Sequence, residues 1–264
     1  TNFIQTSPSP LSSFSVSASS VCLGDTVRFF DGSIPNGTTI TSRSWDFGDG
    51  SSPSTQTNPS HAYMSAGSYV VRLTVSSASC SHDTTLNILV NPGPIVSFSS
   101  SLNVGCNPLS VSFNNTTSGA PVYSWNFGDG SGLSSATAPT HTYPNSGTFS
   151  VTLIATQGSC ADTLRIQSMI VVYPTPGASF NSASTVCLGD TVFFANSSTS
   201  NGGITGYSWD FGDGSSISTG TSPYHVYSSP GSFQVTLRCS TNQCVDDTVK
   251  TIVVAPAPQV AFNS

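Results

Sequence analysis

One heptapeptide that occurs three times constrains this chain more than any other feature. Ser44 to Gly50 read SWDFGDG, Ser124 to Gly130 read SWNFGDG, and Ser208 to Gly214 read SWDFGDG again. The tryptophans fall 80 and then 84 residues apart. A period of that kind makes the chain a tandem array and not one large domain. Other words repeat in step. VCLGDTV (Val21 to Val27) returns letter for letter at Val186 to Val192, with GCNPLSV (Gly105 to Val111) between them. His-x-Tyr, a short turn, Gly and an alternating segment follow His61, His141 and His225.

Each unit reads as strands. Val27 and Phe29 alternate with Thr26 and Arg28, and Val111 with Phe113 and Val192 with Phe194 keep the same phase. Tyr69, Val71, Leu73 and Val75 form a second inward row, matched by Phe149, Val151, Leu153 and Ala155. Short strands punctuated by Gly, Pro and Asn indicate a β-sandwich, with one Trp per unit on a central strand as its pillar. Composition agrees. The chain has no Glu and a single Lys, Lys250, while Ser and Thr number 52 and 31, so helix formers give way to residues of strands and turns. Fifteen Phe, eight Tyr and three Trp still suffice to build cores.

Paired prolines separate the units: SPSP at Ser7 to Pro10, NPGP at Asn91 to Pro94, YPTP at Tyr173 to Pro176, and APAP at Ala255 to Pro258. Such segments favour stiff polyproline II geometry. The expected units are 11–91, 95–173 and 177–255. Residues 1–6 resemble a last strand and residues 259–264 a first strand, so a window on a longer array, or a protomer sharing strands with its neighbours, is expected.

Charge excludes several functions. Charged residues are 7% of the chain and the net charge is -6. Six basic residues cannot track a phosphate backbone, which argues against nucleic acid and against anionic membrane surfaces. No apolar run approaches the roughly 20 residues of a membrane-spanning helix.

The SWDFGDG hairpin, followed by His-x-Tyr, Gly and an alternating strand, resembles the PKD (polycystic-kidney-disease type) repeat over essentially the whole chain. The resemblance implies three seven-stranded immunoglobulin-like β-sandwiches in an elongated all-β array on an extracellular protein. VCLGDTV with a later Cys-x-Asp or Cys-x-x-Asp is similar to repeats in surface and secreted proteins of Bacteroidota. The family includes stalks, adhesins, surface-layer proteins and spacers in secreted hydrolases, so the fold alone does not choose among them.

Chemical candidates are few. Asp46 and Asp49 read as turn caps beside Gly48 and Gly50. Some PKD repeats bind calcium, which needs several oxygen ligands. Corresponding loops here, such as Asn114 to Gly119 and Asn196 to Gly203, carry no acid, and no metal and no cofactor are expected. His61, His141 and His225 share one repeated position and read as hairpin braces, whereas His82, without a counterpart, reads as a surface-loop residue. No nucleophile elbow occurs and no Glu is available for a carboxylate pair, so no catalytic residue is expected. Asn36, Asn114, Asn115 and Asn196 satisfy N-x-Ser/Thr in one predicted loop region. Tyr207, Phe193 and Tyr224 are candidates for exposed aromatics, but they are scattered in sequence.

The reading is therefore a non-enzymatic, extracellular or cell-surface stalk, filament or adhesin segment. Its partners would be neighbouring copies or repeats of the same array end to end, and a surface glycan or protein ligand. A polysaccharide-binding or spacer module of a secreted hydrolase is the alternative. Thr26, Thr84, Thr163, Thr191 and Thr248 each follow Asp and precede an apolar residue or Thr. This resembles an O-glycosylation signal of Bacteroidota.

Seven cysteines in such a setting imply disulfides. Cys22, Cys106 and Cys187 share one position, and Cys80, Cys160 and Cys244 another. Cys239 falls on an inward phase and is expected as a buried thiol. In the immunoglobulin-like topology that the resemblance implies, the two positions lie at opposite ends of a unit, roughly 30 Å apart. Bridged Cα atoms must lie within about 7 Å. Stacking brings the tail of one unit to the head of the next, which leads to Cys22–Cys160 and Cys106–Cys244. Cys80 and Cys187 would bond to units before and after.

Overall fold

A computed structural model describes residues 9–119 and 122–256. The expected terminal strands at 1–6 and 259–264 lie outside the described residues. Within them the chain is all-β, with no helix, and forms three tandem immunoglobulin-like units.

The first unit sets the pattern. Its strands are β1 (Phe14–Val16), β2 (Ser20–Cys22), β3 (Thr26–Asp31), β4 (Ser42–Asp46), β5 (Ser60–Ala62), β6 (Gly67–Ser76) and β7 (Ser81–Asn91). One sheet has the order β1-β3-β5 and the facing sheet β2-β7-β6-β4. All neighbours are antiparallel except β2 and β7, which run parallel with Cys22 beside Asn91. The chain thus crosses between sheets after β1. It lays a three-residue strand along the last one and then turns back into β3.

The second unit repeats this with β8 (Phe98–Ser100), β9 (Val104–Cys106), β10 (Leu109–Asn115), β11 (Val122–Asn126), β12 (Thr140–Tyr143), β13 (Gly147–Gln157) and β14 (Cys160–Tyr173). The third comprises β15 (Phe180–Asn181), β16 (Thr185–Cys187), β17 (Thr191–Phe193), β18 (Ala195–Asn196), β19 (Gly206–Asp210), β20 (Tyr224–Val226), β21 (Gly231–Ser240) and β22 (Val245–Ala255). Its counterpart of β3 is broken at Phe194, so seven strands become eight segments.

Alternation drives each sandwich shut. On β3 the side chains of Val27 and Phe29 are buried while Thr26 and Arg28 are exposed; on β6 Val71, Leu73 and Val75 face inward. Trp45, Trp125 and Trp209 are fully buried, one in each core. Burying an aromatic side chain of that size removes on the order of 200 Å² from water, worth about 5 kcal/mol. Each indole also donates its Nε1–H to a loop carbonyl, of Gln56, Ala136 or Gly220, at 2.8–2.9 Å. Among the described residues, no buried side-chain nitrogen or oxygen lacks a hydrogen bond.

One feature breaks the repeat. Val151 pairs with Ile166 but Phe149 pairs with Ile170, so Ser150 alone faces Gln167, Ser168 and Met169. This bulge makes β14 14 residues long against 11 for β7 and β22. Ser168 takes a left-handed φ of 50°. A cleft of about 480 Å³ opens there between β8 and β14.

Candidate functional site: the junctions between units

The junction is prepared by the turn after β2. Gly24, at φ 89°, reverses the chain, and Asp25 Oδ2 accepts the Cys22 N–H at 3.0 Å. Asp190 does the same for Cys187 at 3.2 Å. Cys22 is thereby fixed at the tail end, where the chain leaves the unit. Leu23 continues the register by donating its N–H to the Asn91 carbonyl at 2.9 Å.

Cys160 begins β14 at the turn after β13, at the head end of the second unit. Cys22 is disulfide-bonded to Cys160, and Cys106 to Cys244, with Cα separations of 5.6 and 5.9 Å; both bridges span 138 residues. Cys160 and Cys244 are almost fully buried. The first staple packs on the proline linker: a side chain at Gly93, whose φ is 67°, would place its Cβ 3.5 Å from Cys160 Cβ. At the second junction Asn107 does the tying. Its Oδ1 accepts the Thr175 N–H at 2.7 Å, its carbonyl accepts the Thr175 hydroxyl, and its Nδ2 donates to the Pro144 carbonyl at 3.1 Å. Each junction is therefore crossed covalently twice, by backbone and by staple.

Cys187 holds the same tail position in the third unit and is exposed. Cys80 is half-buried at the head of the first unit, in the turn where Ser77 Oγ accepts its N–H. Cys239 is a fully buried thiol on β21, and burial pushes its pKa up.

The repeated hairpin carries an Asp–His constellation. Asp46 Oδ1 caps Gly48 N–H, and Asp49 Oδ1 caps Ser51 N–H. Asp49 Oδ2 lies 2.7 Å from His61 Nε2, and Asp129–His141 and Asp213–His225 repeat that distance. His61 stacks on Phe47 with ring centroids 4.1 Å apart and meets Tyr63 edge-on. The Tyr63 hydroxyl donates back to the Phe47 carbonyl. Burial pushes the Asp49 carboxyl up, but hydrogen bonds from Ser51 and His61 outweigh it and hold the pKa down to about 2. Asp129 and Asp213 shift the same way for the same causes. In the second unit Ser131 Oγ also donates to Asp129. The order is then Ser–Asp–His, whereas a hydrolytic triad needs the imidazole against the nucleophile. The arrangement braces the hairpin and does not activate a hydroxyl.

His82 is not a loop residue without a counterpart. It lies half-buried in β7, and its Nδ1 accepts the Ser12 N–H at 3.1 Å. Asp162 and Asp246 occupy the same place two residues after their cysteines and accept Val96 N–H and Ala178 N–H at 2.8 and 2.7 Å. Phe193 and Tyr224 are not scattered in space. They are register partners across β17 and β20, both exposed, with ring centroids 4.8 Å apart; Tyr207 instead packs partly against the core.

The sequon asparagines lie at strand ends more than in loops. Asn114 and Asn115 close β10, Asn196 closes β18, and Asn115 and Asn196 cap Thr117 N–H and Ser198 N–H. Of the glycosylation candidates, Thr26, Thr163 and Thr191 are exposed. Thr84 and Thr248 are half-buried, and Thr84 Oγ1 donates to the Ser12 carbonyl at 2.7 Å. Among the described residues no three His, Cys or Asp side chains converge as a metal site. No helix among them could cross a membrane.

Sandwiches with a crossing first strand, a Trp pillar and stapled junctions define a tandem immunoglobulin-like array. The sequence model of the PKD domain matches residues 8–90, 89–172 and 173–255. The chain belongs to the PKD domain family. Arrays of this kind are typically non-catalytic modules. Among solved structures, the I-band fragment of titin is 10% identical, covering 96% of this chain and 100% of that one with a TM-score of 0.52. That likeness is one of fold. The PKD1 domain from the Vibrio cholerae metalloprotease PrtV is 35% identical over 31% of this chain and 98% of that one, with a TM-score of 0.28. The PKD1 domain of Vibrio anguillarum Epp is 27% identical over 31% and 96%, with the same TM-score.

Proposed function

We propose that the chain is a load-bearing structural segment of an extracellular array, a stalk, filament or adhesin shaft at a cell surface, built from units 11–91, 95–173 and 177–255. The double covalent crossing of each junction carries this reading. A swinging linker needs one flexible connection; here a staple lies against the first linker and Asn107 holds the second through Thr175. Persistent disulfides fit an oxidising, extracellular setting. Neighbouring repeats or copies, end to end, are the partners. Cys187 occupies the position from which Cys22 and Cys106 reach forward, and by that correspondence it bonds to a following unit while Cys80 holds the receiving position. Sugars on the exposed Thr26, Thr163 and Thr191 would hydrate a surface with almost no charge. An intact mass equal to that of the bare polypeptide would remove that part.

Small-angle scattering and electron microscopy of the oxidised protein test the main reading. A straight rod, and filaments in native material, are expected. An ensemble of independently swinging beads would overturn it. The Phe193–Tyr224 pair favours one second reading, a polysaccharide contact by ring stacking. Retention of the wild type on insoluble chitin or cellulose, lost in the Phe193→Ala/Tyr224→Ala variant, would favour it over the shaft.

A further inference from the structure

We propose that the two overlapping staples make this segment a length-limited tether, in which each staple alone preserves most of the limit. The idea rests on the load-bearing reading for its purpose, though not for its geometry.

The bridges Cys22–Cys160 and Cys106–Cys244 interlock, because Cys106 lies inside the first loop and Cys160 inside the second. Along the backbone, Cys22 and Cys244 are separated by roughly 220 residues, about 770 Å when extended. The covalent route through the staples is far shorter. It crosses from Cys22 to Cys160, runs backwards through the second unit to Cys106, and crosses to Cys244. That route contains only about 54 residues of chain, roughly 190 Å. The proline linkers lie off it.

Tension then enters the second unit at Cys160, drawing it toward the head, and leaves at Cys106, drawing it toward the tail. Cys160 begins β14 and Cys106 ends β9, and these strands run parallel with Tyr173 beside Cys106. The pull therefore slides β9 along β14. Val171 N–H to the Asn103 carbonyl and Asn107 N–H to the Tyr173 carbonyl, at 2.8 and 3.0 Å, flank that patch and share the load with the bonds between them. Pulling between the backbone ends of the unit would instead leave the staples idle.

The test is single-molecule stretching of the full chain held at its two termini. With both staples, the fully unfolded contour should correspond to about 95 residues. With either staple removed as a pair, by Cys22→Ser/Cys160→Ser or by Cys106→Ser/Cys244→Ser, it should lengthen by about 30 residues, roughly 100 Å. With both removed, or after treatment with a phosphine reductant, it should lengthen by about 170 residues, roughly 600 Å. The reductant arm keeps the test independent of whether the variants fold. A single-pair variant that lengthens by half the full amount or more, or an oxidised chain that extends past about 95 residues, overturns the proposal. Because the contour is read on the isolated chain, this outcome is separate from whether native material forms surface rods.

Discussion

Replacing one glycine of each FGDG hairpin separates two effects that are usually confounded. Gly48 and Gly50 both adopt left-handed backbone, at φ 79° and 80°. A Cβ at Gly48 would sit 2.5 Å from the Val70 carbonyl oxygen on β6, whereas one at Gly50 would meet nothing within 4 Å. Gly50→Ala should therefore cost only the left-handed conformation, about 1–2 kcal/mol. Gly48→Ala adds displacement of the hairpin from β6, for a total of about 3 kcal/mol or more. A difference of about 2 kcal/mol is roughly 30-fold in an opening equilibrium. Hydrogen exchange followed on the peptide covering Gly67–Ser76 reads this unit apart from its neighbours. Gly128 against Gly130 and Gly212 against Gly214 offer the same contrast, with Ser150 and Gln234 carbonyls as the obstacles. Equal loss of protection in the two variants of any pair would refute the steric argument.

The Asp–His clasps set an acid limit. A carboxyl whose folded pKa lies below its unfolded value adds stability above the unfolded value and loses it as pH falls through the folded one. For Asp49 the loss should run from pH 3.8 down to about 2, and a variant carrying Asp49→Asn, Asp129→Asn and Asp213→Asn should show a flatter thermal-unfolding profile over that range. His82→Asp should be tolerated, since Asp162 and Asp246 already serve that role, while His82→Ala should cost about 1 kcal/mol in urea unfolding. Cys187 should react with a thiol reagent in the folded protein, whereas Cys239 should react only on unfolding. Cys239→Val should change stability by less than about 1.5 kcal/mol, because Val75 fills the matching place.

The strand phases were legible because alternation maps directly onto burial: Val27, Phe29, Val71 and Leu73 could face only one way. Which cysteines meet across units followed from knowing which end of a sandwich each turn occupies. Pairwise geometry across strands was harder. The 12-residue spacing of Asp49 and His61 recurs in all three units, and that recurrence could have revealed the clasp. Residue type hides the counterparts of His82, which are carboxylates, whereas offset from the preceding cysteine reveals them. Counting from Cys80 aligns it with two carboxylates that accept the same kind of amide. Phe193 and Tyr224 meet because their strands share a register, which 30 intervening positions conceal. The extra residues of β14 were visible as length, but their outward looping at Ser168 depends on Ile170 keeping its place in the core.

The parallel pairing of β2 with β7 also orders events in time. Ser20–Cys22 can find its partner only after Leu89–Asn91 has emerged, so a unit completes its sandwich at its second strand only once its last strand is made. Its staple waits longer still, until the next unit has folded as far as its own cysteine turn, 138 residues on. Cys80 appears first, yet it forms at the far end from Cys22, and the completed sandwich keeps the two apart. A chain leaving a cell would thus mature from its leading unit backward. Each of the first two sandwiches presents one thiol to its successor, and oxidation would act as proofreading, since only a correctly folded follower places a thiol within reach.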